Sequence, residues 1–406
     1  MEKIRFIHCA DLHLDSPFAG LKHLPAELFE RIQNSTFASF EKMVKVAIQR
    51  QIDFMMISGD LFDEEDRSIR AQAKLMNQFS LLGESGIPVF VIHGNHDHLG
   101  GFRLELDMPE NVHIFDEKTE VKELVTKSGA SVKLAGFSYG SRHIRERRIS
   151  DYPKQVEADY KIGLLHGSEG SVQSAHESYA PFSMRELKEK NYHYWALGHI
   201  HQRQILNHEP PIVYPGNIQG RHRKETGEKG CYLVELSEHD AILEFIPTQD
   251  IIWGEMEISL EGVERFGEIF QLIRKSAEEY KVMGDCLLQV EVKDFNLLSP
   301  EVIQAIENGD LLQALQADLP TGETMKWIHS IKLSRSENID IDTKDPFIND
   351  VIHTLRNMRV EEGGEALAEL YEHPSFYRYI DSLKEEELSH LIEETVELIL
   401  HPSRCQ

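Results

Sequence analysis

Five short stretches of this chain place Asp, Asn and His directly after apolar runs: DLH at Asp11 to His13, GD at Gly59 and Asp60, GNHD at Gly94 to Asp97, HG at His166, and GHIH at Gly198 to His201. Carboxylate oxygen, amide oxygen and imidazole nitrogen form the mixed donor set that divalent manganese, iron and zinc accept, and no cysteine stands among these donors. One carboxylate can bridge two cations about 3.5 to 4 Å apart, the separation used in two-metal phosphoryl chemistry. Asp60 is the natural bridge. Asp11, His13 and His201 then serve one metal, and Asn95, His166 and His199 the other. In DLH and HIH the donors are two residues apart, so an extended backbone would turn both to one side.

Each fragment alone is a weak signal, because a single histidine is more often a packed, hydrogen-bonded residue than a ligand. Five fragments at successive strand ends carry the inference. A serine nucleophile is the competing chemistry, since Ser168 stands beside His166, but no G-x-S-x-G elbow precedes it. Asp63 and His98 either support the site and contact substrate or cap their loops. Arg221, His222 and Arg223 follow a Gly-rich turn and are candidate phosphate contacts. Asp15 reads as a loop residue.

The elements that must position these groups follow from the apolar pattern. Strands are expected at Ile4 to Ala10, Ile52 to Ser58 and Pro88 to Ile92, with helices at Leu24 to Arg50 and Arg67 to Gly86. This alternation argues for a parallel sheet covered by helices, and ligands collect at the carboxyl ends of such strands. Gly94 is expected to permit a sharp turn there. Short strands from Asn111 to Ile246 suggest a second sheet packed on the first, ending near Asp250. From Trp253 the pattern restarts as a small α/β unit, with one helix expected over Pro300 to Leu315. The polar stretch Ser334 to Asp345 reads as a linker. Pro346 to His401 reads as helical, with an apolar stripe in LSHLIEETVELIL that would fold back or dock on a partner helix. The expected domains are 1–250, 251–335 and 346–406.

With 406 residues the chain exceeds one hydrophobic core, and its 41% hydrophobic and 28% charged residues are those of a soluble globular protein. No apolar run reaches membrane-span length and no signal peptide opens the chain, so a cytoplasmic protein without membrane contact is expected. The four cysteines form no CxxC pair, which argues against a zinc knuckle or a disulfide framework, and Cys9 reads as a buried thiol. A net charge of −26 opposes nucleic-acid binding over roughly 8 Å at physiological salt, so a DNA substrate would need local basic patches or a partner. One such stretch is SRHIRERR at Ser141 to Arg148, either a solvated helix face or a phosphate-binding patch.

The ordered set DLHLDSP, GDLFD, GNHD, LLHGS and GHIH resembles the calcineurin-like metallophosphoesterases, and within them the SbcD-type DNA repair nucleases. YPGNIQGRH and KGCYLVEL are similar to the YhaO-type exonuclease branch. The resemblance is specific over about residues 1 to 250 and loosens afterwards. It implies a four-layer α/β/β/α sandwich with two metals on one rim, a small α/β capping domain and a helical C-terminal tail. It also implies two divalent ions, manganese foremost, and a non-ligand histidine at His96 that protonates the leaving oxygen or stabilises charge on the phosphate, oriented by Asp97. The implied activity is DNA exonuclease hydrolysis beside an SbcC-like or YhaN-like SMC-type ATPase, in a homodimer. An adaptor with weak catalysis and a phosphodiesterase for nucleotides or other small phosphodiesters are the competing readings.

Overall fold

Strands that are buried at nearly every position must be covered on both faces. The computed structural model describes residues 2–22, 24–63, 68–100, 106–155, 157–170, 179–238, 240–282, 284–318, 324–334, 346–359, 362–363, 391–392 and 395–396. Its first sheet is centred on three such strands, β1 (Ile4–Cys9), β2 (Phe54–Ser58) and β3 (Val89–Ile92), with β4 (Val112–Ile114) at one edge; all four are parallel. A second sheet takes β5 (Glu120–Val125), β6 (Ser131–Gly136), β7 (Tyr160–His166), β8 (Tyr194–Gly198), β9 (Gln204–His208) and β10 (Pro211–Tyr214) in the order β5-β6-β7-β8-β10-β9. The chain then returns to the first sheet, where β11 (Gly230–Leu236) runs antiparallel to β1 and β12 (Ala241–Pro247) closes the order β12-β11-β1-β2-β3-β4.

The two-residue side-chain period sorts each central strand into two faces. Phe6, Phe54, Met56, Phe90 and Ile92 meet Leu134, Ile162, Leu164 and Tyr194 between the sheets. Ile7, Cys9, Met55, Ile57, Val89 and Val91 instead pack under α1 (Ala26–Gln49) and α2 (Ile69–Glu84). On the far side, Trp195, Leu165 and Phe137 are covered by Tyr152, Tyr192 and Phe182, with α3 (Met184–Lys188) and a single 3-10 turn at Ile149–Asp151 beside them. The result is the α/β/β/α arrangement, its last layer thin and mostly aromatic.

Some expectations fail locally. SRHIRERR is a loop, because Ile144 is buried while Arg147 pairs with Glu186 and Arg148 with Asp151, which pins the segment out of helical form. β9 has mixed polarity and gave no strand signal. Residues 251–333 form an all-parallel sheet, β13 (Ile251–Ser259), β14 (Asp285–Lys293) and β15 (Lys326–Leu333), with α4 (Phe266–Glu279), α5 (Pro300–Glu307) and α6 (Asp310–Asp318) between them. The single helix expected at 300–315 is broken in two where Gly309 takes a φ of 86°.

This small sheet has its own core around Ile273, Leu288, Val290 and Ile328. Its other face sets Trp253 and Leu287 against Leu28 and Ile32 of α1. Met1–Arg335 form one compact unit, and Ser336–Gln406 a second that contains α7 (Pro346–Arg356) and a cluster of Ile352, Ile392 and Val396. Most of the expected linker and most of the apolar stripe lie outside the described residues. Among the described residues no helix is long and apolar enough to cross a membrane.

One polar group ties the two sheets together beneath the strand ends. His8 of β1 is fully buried, with Nε2 3.1 Å from the Leu197 carbonyl and Nδ1 3.0 Å from the Tyr194 hydroxyl of β8. Burial pulls its pKa down to about 3, against the bond to Leu197 that favours the proton. Below pH 6.5 the unfolded chain takes up a proton that the folded chain refuses, so this residue weakens the fold as pH falls towards 3. Between pH 7 and pH 5 the loss from His8 alone should be about 2 kcal/mol. Urea unfolding at both values should show a shallower acid slope in His8→Gln than in the parent, and equal slopes would exclude this linkage.

Candidate metal centre

All five donor stretches meet on one rim, where the carboxyl ends of β1, β2 and β3 face those of β7 and β8. The loops after β1 and β2 stay zipped beyond the strands through bonds from Asp11 N to Gly59 O, His13 N to Asp60 O and Leu14 N to Leu61 O. Asp11, His13, Asp60 and His199 hold φ values of 52°, 41°, 52° and 97°, a left-handed backbone that non-glycine residues adopt only when their surroundings impose it. The extended alternation expected for DLH and HIH is therefore not the geometry. These donors reach one side because left-handed residues turn the chain as it leaves each strand.

Ligand atoms of Asp11, His13 and His201 lie within 4.8 Å of one another, as do those of Asp11, Asp60 and His166. The Nε2 atoms of His13 and His201 are 3.0 Å apart, and Nε2 of His13 is 3.7 Å from Asp60 Oδ2. Across the pocket, Asn95 Oδ1 sits 3.0 Å from His166 Nε2 and 3.2 Å from His199 Nδ1, and His166 Nε2 is 3.4 Å from Asp60 Oδ2. Asp60 thus lies between the two groups. Backbone amides steady both acids, His96 N donating to Asp60 and His199 N to both oxygens of Asp11.

Burial pushes Asp11 above the usual carboxylate range, against the pull of His201 and His166. Burial acts on Asp60 in the same sense, but His166, His13 and His96 around it overcome this and hold it well below that range. His166 shows the complementary effect: desolvation opposes its charge, yet Asp60 and Asp11 raise it to about 9. His199, buried and next to His166, is lowered to about 3.

Tautomers decide whether cations suit this pocket. A carbonyl can only accept, so His166 Nδ1 must donate to Ser58 O at 2.9 Å, and a neutral His166 turns a bare nitrogen towards Asn95 and Asp60. The Glu225 carboxylate, 2.6 Å from His201 Nδ1, likewise leaves Nε2 of His201 facing that of His13. Electron-rich atoms opposed at 3.0 Å in a buried pocket need protons or metal ions between them. The donors are all oxygen and nitrogen, which suits two divalent cations.

Three glycines explain how the donors come so close. A Cβ on Gly94 would lie 2.2 Å from Asp60 Oδ1, one on Gly59 2.2 Å from His166 Nδ1, and one on Gly198 1.8 Å from the Ser58 carbonyl. Gly94 has no left-handed φ, so its expected role in a sharp turn is replaced by close approach.

Asp97 needs a second correction. Its carboxylate does not orient the His96 ring; it takes bonds from Gly94 N at 2.7 Å and Leu61 N at 2.9 Å and lies 2.9 Å from His93 Nδ1, and so shapes the loop. His96 is fixed by donating from Nδ1 to the Asp63 carbonyl at 2.7 Å. The Asp63 side chain lies 3.0 Å from His13 Nδ1 and pairs with Arg221, which also reaches Ser16. His222 is exposed, with Nε2 3.5 Å from Glu225, and Arg223 is exposed as well. His98 is buried and Asp15 receives the Ser68 hydroxyl, both within their loops. Neither ring nitrogen of His166 is turned to Ser168, which removes the serine nucleophile.

Sequence reasoning missed Glu225. This buried residue bonds His201, the Asn217 side chain and Arg221 N, and despite burial these contacts hold its carboxyl well below the usual range. Nothing in KETGEKG marks it, because it follows no strand; only the fold brings it to His201.

An α/β/β/α sandwich with N/O donor groups gathered around a shared carboxylate on one rim is the arrangement of a metallophosphoesterase. The calcineurin-like phosphoesterase family model matches residues 4–203, and the chain belongs to that family. It is 37% identical to the metallophosphoesterase YhaO of Bacillus subtilis over 98% of this chain and 97% of the relative. It is 26% identical to the DNA double-strand break repair protein Mre11 of Methanocaldococcus jannaschii over 69% of this chain and 75% of that protein.

Two substitutions test the arrangement through metal affinity. Gly94→Ala should drive the Asp60 carboxylate off its position, and Glu225→Gln should leave His201 poorly oriented. Each is expected to weaken manganese binding about 10- to 100-fold in calorimetric titration while circular dichroism stays native. Parental affinity in Gly94→Ala would mean that the loop can move aside, and in Glu225→Gln that His201 needs no partner.

Proposed function

We propose that this protein is a manganese-dependent nuclease that cleaves phosphodiester bonds at DNA ends or in single strands. The observation that carries the reading is the set of opposed nitrogen and oxygen donor atoms on one rim, Nε2 of His13 and His201 and the Asn95, His166 and His199 set, with Asp60 between them. Relatives named as DNA double-strand break repair proteins support the choice of DNA.

Asp11, His13 and His201 would hold one cation and Asn95, His166 and His199 the other, Asp60 touching both. Bound there, the cations would supply Lewis acidity towards the phosphoryl oxygens and a lowered pKa for an attacking water. The chain's own residues supply the rest. His96 gives its Nδ1 proton to the Asp63 carbonyl as a fixed hydrogen bond, so Nε2 is the atom that exchanges a proton with the leaving oxygen. Asp97 keeps the GNHD loop closed and so keeps Asn95 and His96 in register. Arg221, held by Asp63, stands where it can exchange that carboxylate for a substrate phosphate, with His222 beside it. The same reading assigns the protein a homodimer and an SbcC-like or YhaN-like SMC-type ATPase partner, docked through residues 346–406.

The decisive assay incubates the full chain and manganese with end-labelled single- and double-stranded DNA, beside a chromogenic small phosphodiester. DNA cleavage should require the metal and stop on chelation. Asp60→Asn and His96→Gln should each lower it about 10²- to 10⁴-fold with the fold intact. Turnover of the small ester alone would overturn the DNA reading in favour of a small-molecule phosphodiesterase. Normal cutting by both variants would overturn the site.

A further inference from the structure

The basic stretch 141–148 takes no part in the metal centre, yet the fold carries it to the edge of that centre. Ala180 N donates to the Ile144 carbonyl at 2.6 Å, and Ser168 N, two residues beyond His166, donates to the Tyr179 carbonyl at 3.0 Å. These bonds seat Tyr179 between the basic loop and the donors. Its ring centroid lies 4.8 Å from that of His199, inclined by 45°, and 5.5 Å from that of His143, inclined by 31°. Exposure grows along the row, with His199 and Tyr179 half-buried and His143 exposed.

The arginines beside this row divide into two kinds. Arg147 and Arg148 are committed to Glu186 and Asp151 and hold the loop in place. Arg142 and Arg145 are exposed and make no ion pair among the described residues. The exposed acids nearest in sequence are Glu146, within the loop, and Asp151, which is already paired with Arg148. Flat rings leading outward from a phosphoryl site, with exposed arginines on either side of His143 in the chain, suit an anion that also carries flat aromatic groups. A duplex keeps its base faces stacked inside, whereas a single strand offers them.

We propose that Tyr179 and His143 form a stacking platform for bases of single-stranded nucleic acid, with Arg142 and Arg145 taking its phosphates, on the His199 side of the metal centre. The proposal rests on reading that centre as a nucleic-acid phosphodiesterase.

Fluorescence anisotropy of a labelled oligothymidylate with the full chain tests it, calcium replacing manganese to prevent cleavage. Tyr179→Ala should weaken binding about 5- to 150-fold, the range for removing one base stack, and Tyr179→Trp should restore it. Arg142→Ser combined with Arg145→Ser should reduce the salt slope by roughly 1.4, about 0.7 for each phosphate that is no longer neutralised. Manganese affinity of Tyr179→Ala, measured by calorimetry, should stay near the parental value, because the ring donates to no metal. The platform is overturned if the parent cleaves DNA while these variants bind the oligonucleotide as it does. It is also overturned if Trp fails to rescue and manganese affinity falls, since Tyr179 would then only prop His199. A parent that neither binds nor cleaves oligonucleotides overturns the platform and the DNA reading together.

Discussion

Two carboxylates buried side by side, Asp11 and Asp60, set the terms for this molecule. Neither can hold its charge in a dry pocket unless positive charge is brought to within a few ångströms. The imidazole of His166 supplies part of it, and its elevated affinity for a proton, raised by both acids, measures the demand. The left-handed backbone at Asp11, His13, Asp60 and His199 and the side-chain-free contacts at Gly59, Gly94 and Gly198 all serve that approach. Each strained residue costs about 1 to 3 kcal/mol. The strain persists because the strands behind the loops are held by two full layers of core, one between the sheets and one under α1 and α2.

This division of labour explains what could be read from the sequence. The donors lie next to strand ends, and strand ends announce themselves through apolar runs, so Asp11, His13, Asp60, Asn95, His166, His199 and His201 could all be placed on one rim in advance. How they reach it could not be read so well. Two-residue spacing suggested extended alternation, while the actual device is a left-handed turn at each exit. Gly94 looked like a turn residue, but the need for it comes from Asp60, 34 positions earlier in the numbering.

The groups that support the donors were harder still. The bonds of Glu225 to His201 and of Asp97 to Leu61 N depend on which loops meet after folding, and no local pattern records that. The basic loop 141–148 was ambiguous for the same reason. Its charges suggested a helix face or a phosphate patch; Asp151, three residues on, commits Arg148, but Glu186, which commits Arg147, stands on a distant segment of the chain.

The net charge of −26 looks unfavourable for a polyanionic substrate, but its effect depends on where charge stands unpaired. Asp60 and Glu225 lie inside the pocket against the imidazoles of His166 and His201 rather than on the surface. Screening confines the surface acids to about 8 Å. What a nucleic-acid strand meets is therefore set by the rim, and the rim is uneven. On the side of His201, Arg221 is already bound to Asp63, so a phosphate there must displace a carboxylate and leave Asp63 beside His13 with less compensation. On the side of His199, Arg142 and Arg145 have no such partner among the described residues, and an aromatic row leads inward. On the proposed nuclease reading, the approach that displaces fewer ion pairs would be over the second sheet, through Tyr179, since Arg221 is already engaged by Asp63.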